Sequence, residues 1–210
     1  MGIDHTNIWL AGPRVTYRWA DPRTASILWA RKMASNVETV YLDTETTGIS
    51  DSAEIVEVAV VDGTGATVLH TLVKARHPIP AAAMAIHGIS DDDVAGAPTW
   101  EDVHGSLCDV LEGRVVVVYN AEFDARMISM CGERHALAAP TAAWHCAMHA
   151  YAAFLGLPGR RPGDYRLHKL DAAVASFGGE PGGHRALGDA LACRFVVLGM
   201  AATPSPEPEA

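Results

Sequence analysis

The sequence has few cysteines and no pattern that pairs them. Its four cysteines, at positions 108, 131, 146 and 193 of 210 residues, include no C-x-x-C pair. This spacing argues against a disulfide framework and against a four-cysteine zinc site, and it fits a reduced compartment. We therefore expect a cytoplasmic protein.

Long apolar runs and a secretion signal are also missing. No uninterrupted apolar run in the sequence approaches the roughly 18 residues of a membrane span. The N-terminal segment lacks the basic stretch followed by an apolar run that marks a secretory signal. With 49% hydrophobic and 20% charged residues, the composition is that of an ordinary globular protein. At this length we expect a single sizeable core and no membrane partner.

The chain also lacks an excess of positive charge. Its net charge of −9 argues at first sight against a nucleic-acid partner. An enzyme that gathers acids around metal ions can nevertheless be acidic overall and hold phosphates locally. The net charge therefore excludes neither class of protein.

The hydrophobic pattern that is present predicts an α/β fold. Asp21 and Pro22 are typical of an N-cap and first helical position, and predict a helix to about residue 36 with Ile27, Leu28 and Met33 facing inward. Strands are predicted over 37–43, 54–62, 66–74 and 115–119, and later helices over 99–111, 123–131, 144–155, 169–177 and 185–200. Tight turns make the first three strands an antiparallel meander. A meander followed by strand–helix alternation gives a mixed sheet flanked by helices.

The same pattern suggests three regions. Residues 1–36 are predicted to form an N-terminal extension with one helix, 37–201 the main domain, and 202–210 a disordered proline-rich tail. Trp9, Tyr17 and Trp19 are expected to hold the beginning of the extension on the surface of the domain.

Two acids lie at the carboxyl end of the first predicted strand. Asp43 and Glu45 are spaced i, i+2, so in a strand their side chains share a face. Carboxylates this close repel each other, and one of them protonates unless a cation neutralises the pair. The pattern indicates a divalent metal site at a strand end. Taken alone, it is explained more simply by an exposed strand end that turns through Thr46, Thr47 and Gly48.

A second polar cluster follows the buried strand at 115–119. Asn120 comes directly after it, and Asp124 falls in the first turn of the next helix. The helix dipole and the free N–H groups favour a carboxylate there, so simple capping explains Asp124 equally well.

A third cluster lies near the C-terminus. The glycine-rich residues 178–183 place His184 on a loop just before the last helix, while Asp189 falls inside that helix. A histidine on such a hinge is mobile, which suits a general base that moves in with substrate. The alternative is a surface histidine beside a solvent-facing aspartate.

Together these clusters resemble the DEDDh family of 3′–5′ exonucleases, the DnaQ-like enzymes with an RNase H-like fold. The first motif is D-T-E-T-T-G from Asp43, the second N-x-x-F-D from Asn120, and the third H-R-A-L-x-D-A from His184. Residues 86–89, which are predicted at a loop–helix junction, match a further element of the family. The resemblance covers about residues 37–200, which makes 37–201 the exonuclease domain. Tyr119 departs from the family, which has histidine there, and this puts substrate contacts in doubt more than catalysis.

The resemblance implies a site and a mechanism. Asp43, Glu45, Asp124 and Asp189 would hold two Mg²⁺ or Mn²⁺ ions, and His184 would take a proton from the attacking water. The implied substrate contacts are Thr46, Thr47, Gly48, Ile86, His87, Gly88, Ile89, Asn120 and Phe123. The basic residues around a Pro/Gly loop, which either contact phosphates or form a solvated surface, are Arg160, Arg161, Arg166 and Lys169.

The implied activity is a metal-dependent 3′–5′ exonuclease that removes 5′-mononucleotides from 3′ ends of single-stranded DNA or RNA. A polymerase or repair complex is a further partner that the resemblance allows. Two alternatives remain open: a catalytically silent nucleic-acid-binding module with the same fold, and a phosphodiesterase that acts on short oligonucleotides.

Overall fold

The structure, a computed structural model, describes residues 21–204. The helices are α1 (Pro22–Ser35), α2 (Ala81–His87), α3 (Asp91–Val94), α4 (Trp100–Leu111), α5 (Ala121–Arg134), α6 (Ala147–Leu155), α7 (Leu170–Ser176) and α8 (Ala186–Ala202). The strands are β1 (Thr39–Thr46), β2 (Ile55–Asp62), β3 (Thr67–Leu72), β4 (Val115–Val118) and β5 (Ala143–Cys146). The predicted aromatic clamp at Trp9, Tyr17 and Trp19 lies outside the described residues, as does the tail from residue 205 onward.

The five strands form one mixed sheet in the order β3-β2-β1-β4-β5. β1 pairs antiparallel with β2, and β2 antiparallel with β3, which confirms the predicted meander. On its other side β1 pairs parallel with β4, and β4 parallel with β5. β1 is therefore the central strand, and its carboxyl end lies at the same edge of the sheet as that of β4.

Helices cover both faces of the sheet. Val40 and Leu42 pack on the face that α4 and α5 cover, whereas Tyr41 packs on the face that α1, α6, α7 and α8 cover. Because side chains alternate along a strand, Asp43 and Glu45 continue the Tyr41 face. The two acids therefore lie on the side of the sheet to which α8 belongs.

Helix α1 begins as the sequence predicts. Asp21 accepts hydrogen bonds from the backbone N–H groups of Arg23 and Thr24 at 3.0 and 3.1 Å, and Pro22 is the first helical residue. Ile27 and Met33 are buried as predicted, but Leu28 is only half-buried and Trp29 lies in the core instead. The helix packs against α6 and α8. The domain boundary at residue 37 stays a prediction.

The predicted helix over 144–155 is wrong in its first part. Residues 143–146 form β5, and α6 begins only at Ala147. The open edge of β4 provides unpaired backbone groups, and parallel pairing with them outweighs local helix preference. Trp144 and Cys146 alternate with half-buried His145, as in a strand that packs one face on a core.

Several other boundaries differ from the prediction by one to three residues, among them the end of β1. β1 continues to Thr46, three residues past the predicted end, because β2 pairs with it along that length. Residues 86–87, predicted at a loop–helix junction, are the last turn of α2, which ends at Gly88 in the left-handed conformation. Within the described part of the chain, no helix combines the length and the apolar character that crossing a membrane requires.

Candidate active site

Three carboxylates from two elements converge at the carboxyl end of β1. Asp43 and Glu45 come from β1, and Asp189 comes from the first turn of α8. One oxygen from each of the three side chains lies within 4.8 Å of the others. All three residues are half-buried, so their oxygens face a space that is partly shielded from water. Such an oxygen-only cluster suits a hard divalent cation.

Asp124 lies beside this group without joining it. It is 3% exposed, at the N-terminal end of α5, and its Oδ1 accepts hydrogen bonds from the backbone N–H and the hydroxyl of Thr44, at 3.0 and 2.7 Å. Thr44 lies between Asp43 and Glu45 on β1. It therefore ties the second motif directly to the strand that carries the first.

The acids raise one another's proton affinity. Burial, followed by the charges of Asp124 and Asp189, raises the pKa of Asp43 well above its ordinary value. Burial and then the charge of Asp189 raise the pKa of Glu45 to about 8. Burial raises the pKa of Asp124 to about 7, although its hydrogen bonds from Thr44 act in the opposite direction.

Asp189 follows the same trend and is held by a close backbone approach. Burial raises its pKa, against the opposing effect of His184. A Cβ atom on Gly182 would lie 2.1 Å from Asp189 Oδ1, and one on Gly188 would lie 2.1 Å from the carbonyl oxygen of Gly182. The glycine-rich segment therefore packs against the first turn of α8, a contact that larger residues would prevent.

His184 lies outside α8, as predicted, with Asp189 inside it. His184 adopts a left-handed conformation (φ 54°), its side chain is 56% exposed, and its Nδ1 lies 4.0 Å from Asp189 Oδ2. Non-glycine residues adopt this conformation rarely, and mostly at functional or tightly constrained sites. The imidazole thus lies at the edge of the acid cluster with access to solvent.

Glu57 is a residue of this region that the sequence interpretation missed. It is fully buried in β2, directly opposite Glu45 in the strand register, and it accepts hydrogen bonds from Arg185 Nε at 2.9 Å and Nη2 at 2.8 Å. The backbone N–H of Ala186 donates to it at 3.0 Å, and His70 Nε2 lies 2.9 Å away. Burial alone would raise the pKa of Glu57, but the hydrogen bonds from Arg185 and His70 lower it below its usual range. The available signal was a single acid inside the otherwise apolar run 55–61.

The residues predicted to contact substrate divide by exposure. Those accessible at the surface or half-buried are Thr47, Gly48, Ile86, Gly88, Asn120 and Phe123. The other three, Thr46, His87 and Ile89, are 8%, 4% and 2% exposed, and Ile89 packs in a small core cluster below α2. The role of the whole set as substrate contacts stays a prediction.

Tyr119, the departure from the family pattern, has a structural partner. Its ring is buried, and its hydroxyl donates to the backbone carbonyl of His168 at 3.0 Å, with the carbonyl of Lys169 at 3.3 Å. Tyr119 therefore ties the end of β4 to the segment that leads into α7.

The chain is similar to known exonucleases over most of its length. The family model described as Exonuclease matches residues 40–194. A protein of Escherichia phage 186, described as uncharacterized exonuclease CP81, is 43% identical over 166 residues, which are 75% of this chain and 84% of that protein.

Two solved structures have the same architecture. Exonuclease X in complex with 5′ overhanging duplex DNA is 27% identical, with a TM-score of 0.50 and coverage of 77% of this chain and 90% of that one. The nuclease domain of 3′hExo, a DEDDh family member bound to rAMP, is 18% identical, with a TM-score of 0.62 and coverage of 78% and 92%, and shows the fold alone. The predicted RNase H-like mixed sheet is therefore confirmed, and so is the prediction of an enzyme. The chain therefore belongs to the exonuclease family.

Proposed function

We propose that this protein is a metal-dependent exonuclease that releases 5′-mononucleotides from the 3′ ends of single-stranded DNA or RNA. The observation that carries the proposal is the convergence of Asp43, Glu45 and Asp189 within 4.8 Å, with His184 beside Asp189. Three acids and a solvent-accessible histidine at one sheet edge match the needs of phosphodiester hydrolysis.

The residues present fit a bound cation. Asp189 Oδ1 is buried and has no hydrogen-bond partner among residues 21–204, which is costly unless another group satisfies it. Burial, followed by the charges of the neighbouring acids, raises the pKa values of Asp43 and Glu45, as expected of carboxylates that no cation neutralises. We propose that Asp43, Glu45, Asp189 and the neighbouring Asp124 hold two Mg²⁺ or Mn²⁺ ions. When bound, such ions stabilise the charge on the attacking and leaving oxygens of phosphoryl transfer.

The chain's own groups divide the remaining tasks. His184 is exposed enough to accept a proton from the attacking water at its imidazole, and Asp189, 4.0 Å away, stabilises the imidazolium that results. Thr44 fixes the carboxylate of Asp124 through two hydrogen bonds and so limits its rotation. Glu57 fixes Arg185, the residue between His184 and the first turn of α8.

The 3′-terminal nucleotide would lie between the turn after β1 and the end of α2. Thr47 and Gly48 are accessible on one side, and Ile86, which is 60% exposed, on the other. An apolar side chain at this exposure offers a surface on which a base can stack. Binding of a polymerase or a repair complex stays a prediction.

The proposal is tested with 5′-labelled single-stranded DNA and RNA, incubated with Mg²⁺, with Mn²⁺ and with EDTA. We expect stepwise shortening from the 3′ end that EDTA abolishes. Binding without metal-dependent shortening of either strand would contradict the proposal and favour the silent module. Shortening confined to dinucleotides and trinucleotides would favour the phosphodiesterase.

A further inference from the structure

The segment between α6 and α7 folds into a small hairpin. Pro158 and Tyr165 form an antiparallel bridge, Gly159 N–H donates to the carbonyl of Asp164 at 2.9 Å, and Arg166 N–H donates to that of Leu157 at 2.9 Å. A Cβ atom on Gly159 would lie 2.9 Å from Asp164 Cβ, so the two arms are in direct contact. We name residues 157–166 the basic hairpin. Because backbone hydrogen bonds join its two arms, the tip of the hairpin has a defined position.

The basic hairpin carries cations that have no partner within the described chain. The side chains of Arg160, Arg161 and Arg166 are exposed and make no hydrogen bond or ion pair with any residue in the described range 21–204. Asp164 is the single acid between residues 157 and 169. Arg185, in contrast, is compensated, because it pairs with buried Glu57. In a chain with a net charge of −9, the hairpin is therefore a local positive surface.

The base of the hairpin is fastened beside the acid cluster. Tyr119 donates its hydroxyl hydrogen to the carbonyl of His168, two residues after the hairpin ends. In the parallel pairing of β1 with β4, Tyr41 lies opposite Val117. Two residues further along these strands come Asp43 and Tyr119, on the same face of the sheet. The basic hairpin therefore begins at the edge of the sheet where the acids converge. It lies on the same face of the sheet as these acids.

We infer that the basic hairpin binds backbone phosphates of a single strand on the 5′ side of the nucleotide that occupies the acid cluster. The inference rests on the proposed function and adds a second contact to it. Arginine binds phosphate oxygens through two parallel N–H groups, and such contacts give affinity without reading sequence. An acidic protein needs a surface of this kind to keep hold of a strand that its carboxylates repel.

Binding is tested first, in EDTA, so that catalysis plays no part. The fluorescence anisotropy of a labelled strand of about 20 nucleotides, as DNA and as RNA, gives its Kd at several salt concentrations. For Arg160→Ala/Arg161→Ala we expect a Kd roughly tenfold higher than the parent's. The slope of log Kd against log salt should be shallower by about 1.4, or about 0.7 for each phosphate that an arginine no longer neutralises. Arg160→Lys/Arg161→Lys keeps the charge and should retain most of the slope.

The control variant removes the same number of positive charges as the hairpin variant, but at the end of the sheet opposite the acid cluster. Lys32 lies in the last turn of α1 and Arg114 directly precedes β4, and neither side chain makes a hydrogen bond or ion pair within the described residues. Lys32→Ala/Arg114→Ala should keep the parent's salt slope. An unchanged Kd in the hairpin variant, or an equal loss of affinity in both double variants, would overturn the inference. Thermal unfolding checks that all variants are folded.

Hydrolysis then separates this inference from the proposed function. The parent should favour the long strand over a dinucleotide in kcat/KM, and Arg160→Ala/Arg161→Ala should reduce that preference roughly tenfold. A parent that hydrolyses neither substrate, but binds the strand through the hairpin, would refute the proposed function and leave the inference standing. A parent that hydrolyses both, with a hairpin variant that keeps its affinity and preference, would refute the inference alone.

Discussion

Replacing Glu57 with glutamine tests how the segment that carries His184 is held in place. The carboxylate of Glu57 is 1% exposed and accepts three hydrogen bonds from two consecutive residues, Arg185 and Ala186. Glutamine keeps the shape and one carbonyl oxygen, but it removes the charge that faces the guanidinium. The substitution therefore weakens the ion pair with Arg185 and the contact with His70 without opening a cavity.

The expected cost follows from the burial of the two partners. Removing one member of a buried ion pair costs about 3–5 kcal/mol. The side chain of Arg185 is 47% exposed, so water can solvate part of the guanidinium once Glu57 is replaced, and the cost is smaller. We expect the free energy of unfolding to fall by about 2–3 kcal/mol, which lowers the Tm of a domain of this size by roughly 5–10 °C.

The same substitution should slow hydrolysis. Ala186 is the first residue of α8, and His184 and Asp189 lie on either side of it. When the hydrogen bonds from Arg185 and Ala186 to residue 57 weaken, the side chains of His184 and Asp189 are held less firmly in their positions. Misplacement by about 1 Å costs on the order of 100-fold in rate, so we expect kcat to fall roughly 10- to 100-fold while KM changes little.

Thermal unfolding and steady-state hydrolysis of a labelled single strand, both well below the variant's Tm, measure the two effects. Arg194→Met is the matched control, because Arg194 is also on α8 and donates to the carbonyl of Gly63, in the turn between β2 and β3, at 2.9 Å. It should lose about 1 kcal/mol of stability and keep the parent's kcat. If Glu57→Gln has the Tm and the kcat of the parent, the reasoning is refuted. It is also refuted if kcat falls in both variants in proportion to the decrease in their Tm.

Four further predictions concern the acids and the histidine. Asp43→Asn should abolish metal-dependent hydrolysis while the metal-free Tm stays equal or rises, because like-charge repulsion is relieved; near-normal turnover would exclude Asp43 from the site. His184→Ala should lower kcat by about 10²–10⁴ but retain Mn²⁺ binding in calorimetry, and a parent-like rate would place the general base elsewhere. Thr44→Val removes the hydroxyl that donates to Asp124, so Mn²⁺ affinity should fall roughly tenfold, and an unchanged affinity would show that this bond does not orient a ligand. In the metal-free protein, the pKa of Glu45 is about 8 when folded against 4.5 for the unfolded chain, so the folded state binds the proton more tightly and stability falls as pH rises from about 4.5 to about 8. Glu45→Gln should flatten this dependence of Tm on pH, and a parent profile as flat as the variant's would contradict the raised pKa.

Local signals sufficed for much of the fold. Asp21 followed by Pro22 marks the beginning of α1, and glycines 63 and 65 mark the turn between β2 and β3. These features depend on caps and turns within a few residues, and therefore survive without knowledge of distant contacts. The prediction of a helix over 144–155 was wrong in the part that pairs with a strand distant in sequence. Residues 143–146 form a strand because they pair with the edge of β4.

The sequence by itself provided the predicted side chains of the candidate site, but not Glu57. The order of three short motifs, through its resemblance to the exonuclease family, indicated Asp43, Glu45, Asp124, His184 and Asp189. Only the tertiary structure decided how they meet. It placed Asp124 on Thr44, packed Gly182 against Gly188 and joined Glu57 to Arg185 across 128 positions. Such contacts depend on the packing of α5 and α8 on the sheet, and no local periodicity records which residues that packing brings together.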